Sequence, residues 1–156
     1  MPKRPLDRID RAILAALQND ARLSNKELAS AVGLAPSSCL DRVRRLKVDG
    51  RLVGFHAVVD PTALGIRLQA MVFIQLSDQS QSAVQVFIDA VQPQSEVLAI
   101  THVAGQHDFI VHVAARDTAH LREIILLHIS SMPGVRHVET ALIFEHHRAG
   151  RLPDYL

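Results

Sequence analysis

The chain predicts an α+β protein in two parts: a winged-helix-like helix-turn-helix head and a ferredoxin-like βαββαβ sandwich. Three observations carry that prediction. Residues 24–46, SNKELASAVGLAPSSCLDRVRRL, read as two short helices joined by a glycine-containing turn, the second rich in arginine. Charge is divided along the chain: residues 1–54 hold eleven Lys+Arg against six Asp+Glu, and residues 55–156 hold six against ten. The second part alternates period-two apolar runs with amphipathic helical spacing, in the order of a split βαβ unit. The net charge of +1 therefore hides a basic head on an acidic body, an asymmetry that directs the head toward nucleic acid.

The first helix is expected from Asp7, a plausible N-cap, to about Asn19, with Ile9, Ile13, Leu14 and Leu17 inward. Ser24 with Glu27 forms a capping box for the second helix, in which Leu28, Ala29 and Val32 make one apolar stripe. Gly33 ends that helix as a residue free to take positive φ, and Leu34 plugs the turn. Pro36 suits the first turn of a third helix, whose inward stripe is Cys39, Val43 and Leu46.

Outside that stripe stand Ser37, Ser38, Asp41, Arg42, Arg44, Arg45 and Lys47. A helix-turn-helix lays its second helix in the major groove of duplex DNA. Small hydroxyls at the helix start and arginines further along suit phosphate and base-edge contacts. Ser37, Ser38, Asp41, Arg42, Arg44 and Arg45 are thus the candidate DNA-binding residues. A merely solvated basic face is the plain alternative, and the charge division favours DNA.

Gly50 closes the third helix, and LVGFHAVVD (52–60) reads as a linker strand. PTALG (61–65), with its Pro and Gly, marks a hinge. The expected organisation is a DNA-binding domain over 1–51, linker strand and hinge over 52–65, and a ferredoxin-like domain over 66–156, to which the resemblance given below adds effector binding and oligomerisation. In the body, 69–76 is strand-like, and Val84, Phe87, Ile88 and Val91 give a helix closed by Pro93. Two strands, 97–103 and 109–115, flank the tight AGQHD connection. Leu121, Ile124, Ile125 and His128 form a second helix after Asp117, and a Met132-Pro133-Gly134 turn leads to a last strand over 135–145.

The outer body strands are apolar on both faces. Ala70, Val72, Ile74 and Leu76 oppose Met71 and Phe73; Val138, Leu142 and Phe144 oppose Ala141 and Ile143. A sheet covered on one side only should alternate apolar and polar residues, and a bare apolar patch is a liability. A sheet-to-sheet homodimer is expected, which also suits a reader of two half-sites.

Several classes are disfavoured. No run approaches the roughly 18 apolar residues of a membrane span, and MPKRPLDRID lacks the apolar stretch of a secretory signal. A lone Cys39 excludes an internal disulfide and a cysteine-based zinc site, and its stripe position makes it a small core residue. A cytoplasmic protein is expected. No paired carboxylates share an element and no Gly-rich phosphate loop is present, so no enzyme, catalytic residue or cofactor is expected. All nine histidines follow residue 55, and His102, His107 and His112 raise metal sensing as a rival. No Cys accompanies them, no pair has the i, i+4 spacing of a helical metal site, and His146 and His147 diverge as chain neighbours, so no metal site is assigned.

The head, LDRIDRAILAALQNDARLSNKELASAVGLAPSSCLDRVRRLKVDGRLVGF, with DPTALG, AGQHDF and MPGV after it at the right spacing, resembles the Lrp/AsnC family of transcription factors over nearly the whole chain. The resemblance implies a head that binds double-stranded operator DNA and a body that senses a small molecule. It also implies homodimers assembling to tetramers or octamers, with amino acids bound between dimers near the loop joining the second and third body strands. Here that loop is Ala104, Gly105, Gln106, His107 and Asp108. Gly105 would let backbone approach a ligand, Asp108 would accept an α-ammonium group, and His107 with Thr140 would shape the side-chain pocket. On the residues alone, Gly105 and Asp108 read first as hairpin-turn residues, and it is the resemblance that favours a ligand site. The chain departs from the family where Ala35 replaces the usual capping Ser, and at Ala104 and His107 beside the expected ligand. Leucine is therefore not implied above alanine or another small neutral amino acid. An architectural protein that wraps DNA without a ligand is the second rival.

Overall fold

The computed structural model describes residues 4–147 and 149–155. The chain divides into two units: residues up to Val58 together with those from His147 onward, and Val59–His146. The last residues group with the head, not with the body that was expected to extend to 156. Among them, the Leu152 N–H donates to Gln18 Oε1 at 2.7 Å.

Three helices build the head: α1 (Arg8–Asn19), α2 (Asn25–Val32) and α3 (Pro36–Val48). The first two begin with reciprocal capping boxes, Asp7 with Asp10 and Ser24 with Glu27, which satisfy N–H groups that a helix start leaves unpaired. Gly33 takes φ 69° and turns the chain from α2 into α3. Ala35 gives α3 no side-chain cap. Ile13, Leu17, Leu28, Ala29, Cys39 and Leu46 close the core, with Ile9, Leu14, Val32, Leu34, Val43 and Leu52 packed around it. Burial pushes the Cys39 thiol pKa up, so it serves as a small apolar filler.

The expected linker strand is not formed. Residues 53–59 find no strand partner among the described residues, and Val53 and Val58 are 91% and 88% exposed. An extended segment becomes a strand only when its backbone groups have a neighbour to pair with. Among the described residues the head accordingly carries no wing strand. Leu52 packs onto the head, and the Lys47 ammonium sits 4.8 Å from the centre of the Phe55 ring.

After a 3-10 turn at Pro61–Leu64, the body runs β1 (Leu68–Leu76), α4 (Gln81–Val91), β2 (Val97–His102), β3 (Phe109–Ala115), α5 (Thr118–Glu123) and β4 (Val135–Ile143). The four strands form one antiparallel sheet in the order β2-β3-β1-β4, the ferredoxin-like arrangement. Ala70, Val72, Ile74 and Leu76 turn one face of β1 into the core, where Phe87, Val91, Phe109, Val111, Val113, Leu121, Ile124 and Ile129 meet them. Phe87 and Phe109 stack at 4.5 Å. Met71 and Phe73 lie on the opposite face and are half-buried.

Two expectations shift in detail. From Ile124 to Ser130 the second body helix widens to a π-helix, so the deeply buried positions fall at Ile124 and Ile129, five residues apart. His128, expected inward, is only half-buried as a result. The last strand ends at Ile143, and Phe144 beyond it is 96% exposed.

Candidate nucleic-acid interface and ligand loop

On α3 the expected contact residues separate into two groups. Ser37, Ser38, Asp41, Arg44 and Arg45 are exposed, and all of them except Ser37 line, with Arg42, an open groove of about 660 Å³. Ser37 and Ser38 lie in the first turn of an uncapped helix, where free N–H groups and the helix dipole favour a phosphate. Asn25 Nδ2 donates to the Pro36 carbonyl at 2.8 Å and fixes this end of α3 against the start of α2.

Arg42 borders that groove, but its guanidinium turns inward. Its Nη1 reaches Asp7 Oδ2 at 2.6 Å and Asp10 Oδ1 at 2.7 Å, and its side chain is 22% exposed. Asp10 is 4% exposed, and Arg4 Nη2 donates to its second oxygen at 2.8 Å. The Arg42 hydrogen bond and then the Asp10 N–H hold the Asp7 carboxyl pKa down at about 2, while the two carboxylates raise that of Arg42. Arg42 thus stands in the expected DNA-binding set as an internal brace of α3 on α1.

In the body, the loop expected to take a ligand is pinned at its base. Asp108 is 8% exposed; its Oδ2 accepts from the Leu76 N–H and its Oδ1 from Gln79 Nε2, both at 2.7 Å. Its own N–H donates to the Ile74 carbonyl, and its carbonyl accepts from the Val103 N–H. The expected ammonium acceptor is turned into the protein, tying the β3 start to the β1 end. Gln75 Nε2 donates to the Gln106 carbonyl at 2.6 Å. Ala104, Gly105 and Gln106 are exposed, and Gly105 holds φ 132°, a conformation that side-chain-bearing residues rarely adopt.

Strand register divides the remaining pair. Thr140 lies opposite Val72, on the helix-covered side of the sheet. His107 rests on the other side, its ring 5.3 Å from that of Phe73 and its Nε2 3.9 Å from Glu139 Oε2. His107 and Thr140 therefore do not share a pocket. The β4 residue beside the loop is Glu139, opposite Phe73. The sequence did carry a signal for it: Glu139 falls in the Ala141–Ile143 alternation, whereas Thr140 falls in that of Val138 and Leu142.

The three spaced histidines are not gathered either. His102 stacks on Phe109 at 4.7 Å, lining a cleft of about 450 Å³ between α4 and β2 that includes none of the expected ligand residues. His112, on β3, meets Gln69 Oε1 at 2.7 Å and the His146 ring at 5.7 Å. Among the described residues, no helix is long and apolar enough to cross a membrane.

A helix-turn-helix head with an exposed basic second helix, joined to a separate ferredoxin-like body, defines a DNA-binding regulator with its own ligand-binding domain. The chain belongs to the Lrp/AsnC family of transcriptional regulators. Residues 6–47 match the AsnC-type helix-turn-helix domain, and residues 69–152 match the Lrp/AsnC ligand binding domain. The chain is 44% identical over 145 residues to the HTH-type transcriptional regulator AldR of Mycolicibacterium smegmatis, covering 93% of this chain and 85% of that protein. It is 36% identical over 144 residues to the leucine-responsive regulatory protein of Escherichia coli, covering 92% and 88%. Its fold is also similar to that of a Neisseria meningitidis transcriptional regulator crystallised with L-Met, with a TM-score of 0.83, 27% identity and coverage of 93% and 94%.

Proposed function

We propose that this regulator controls genes of amino-acid metabolism in response to a small amino acid bound beside the 104–108 loop. The observation that carries the reading is the pinned loop itself, with Ala104, Gly105 and Gln106 presented outward from a fixed base on a body of the ligand-binding type. The Neisseria regulator of the same fold, in its complex with L-Met, supports an amino acid as the ligand class. Ser37, Ser38, Asp41, Arg44 and Arg45 contact operator DNA, and Arg42 keeps their helix in place. Met71 and Phe73 meet the same face of a second copy, giving at least a dimer and a pair of heads for two half-sites. The ligand biases one assembly or DNA affinity over another, because equal affinity for two states shifts neither.

A thermal-shift screen of the twenty amino acids tests this, since a ligand that binds only the folded state raises stability by mass action. Positive amino acids are then added to an operator-binding titration. A rise in melting temperature with a change in operator affinity is the expected result. Operator binding indifferent to every amino acid would favour a purely architectural role.

A further inference from the structure

An α-ammonium group is best met by a negatively charged acceptor open beside the loop, whereas Asp108 is buried and each of its oxygens already accepts from a protein donor. We propose that Glu139 is the carboxylate that receives the effector's ammonium group, beside the His107 ring. The assignment rests on the amino-acid reading above and names the residue that would recognise the amine.

Register places Glu139 opposite Phe73 on the open face of the sheet, and the His107 ring lies against that same Phe73. The Glu139 side chain is 62% exposed, and among the described residues no lysine or arginine pairs with it. Its one ionic neighbour among the described residues is His107 Nε2 at 3.9 Å, too far for a hydrogen bond, which leaves the carboxylate open to an added cation.

Beside it, Phe73 and the directly paired Ile110 supply an apolar floor on the same face. A carboxylate over an apolar floor selects an ammonium and repels an anionic or carbonyl oxygen at that point. The corresponding preference is for an α-amino acid over the 2-oxo acid with the same side chain. Since Met71 and Phe73 share this face, the bound amine would lie against the surface through which copies are proposed to meet.

Calorimetry on the full chain tests the assignment, using L-alanine, L-leucine and L-methionine beside pyruvate, 4-methyl-2-oxopentanoate and 4-methylthio-2-oxobutanoate. Wild type is expected to bind an amino acid and to discriminate against its oxo acid. Glu139→Gln should lose about tenfold or more in amino-acid affinity, the usual scale for a hydrogen bond to a charged group, and should narrow the discrimination. The variant's melting temperature, measured beside wild type without ligand, separates lost recognition from lost folding. Unchanged affinity and discrimination in Glu139→Gln would overturn the assignment while leaving the effector reading intact. A wild type that binds no amino acid would overturn both.

Discussion

The guanidinium of Arg42 and the buried carboxylate of Asp10 meet at 2.7 Å, bracing α3 against α1 from within the head. The most basic helix of the chain therefore devotes one arginine to its own position. Removing Arg42 leaves Asp10 buried with Arg4 as its remaining cationic partner. Arg42→Ala should lower head stability by on the order of 2 kcal/mol, the scale of a buried acceptor losing a partner. Urea unfolding checks this, and operator affinity should fall only in step with the unfolded fraction.

Arg44 and Arg45 behave differently. Both are exposed, and the Arg44 contact with Asp41, at 3.8 Å, joins two largely solvated side chains and adds little. Arg45→Ala should leave thermal unfolding unchanged and weaken operator binding. If its partner is a phosphate, the slope of log affinity against log salt falls by about one and all sequences weaken alike. If it reads a base, specificity relaxes at one position instead.

The head should also carry an acid signature. The folded Asp7 carboxyl has a pKa of about 2 against an ordinary 3.8, so its contribution is fully present above 3.8 and is lost as pH falls through about 2. Asp7→Asn removes that dependence. Acid titration of head unfolding should show wild type losing stability across this window and the variant running flatter.

In the body, Asp108→Ala should destabilise the fold as well as alter any ligand response, because the Leu76 N–H loses a buried acceptor. A cost of roughly 1–3 kcal/mol is expected, read by denaturant midpoint. Ligand affinity measured on this variant alone therefore cannot assign a binding role to Asp108.

Assembly gives the last test. Phe73→Asp places a charge on the open sheet face beside Met71, and light scattering should report a smaller species than wild type. A wild-type chain that is monomeric at micromolar concentration would remove the role proposed for that face.

The element pattern was legible because its signals are local: capping boxes at Asp7 and Ser24, glycine at the α2 exit, and period-two burial along β1. What escaped depends on partners or registers that a single sequence does not specify. Residues 52–60 have strand composition without a strand neighbour. The π-helical widening moves burial to Ile129 although His128 continues the helical spacing. A carboxylate after a glycine loop reads equally as a ligand acceptor or a staple, and only the Leu76 and Gln79 donors decide it at Asp108. Arg42 is the α3 arginine that the sequence singles out as able to pair within the head, but its partners, Asp7 and Asp10, lie more than thirty residues earlier in the chain and are not named by local spacing.

The fastening of the 103–108 loop bears on how a signal could leave it. Val103 and Asp108 close its base, Ile74 and Leu76 anchor it to β1, and Gln75 holds Gln106 midway. So many fixed points make it a platform rather than a flap. A molecule landing there meets a surface already in its final shape and spends little on ordering it. It also has no lid to close. Whatever it reports must travel through which surfaces stay together around the platform, not through movement of the loop itself.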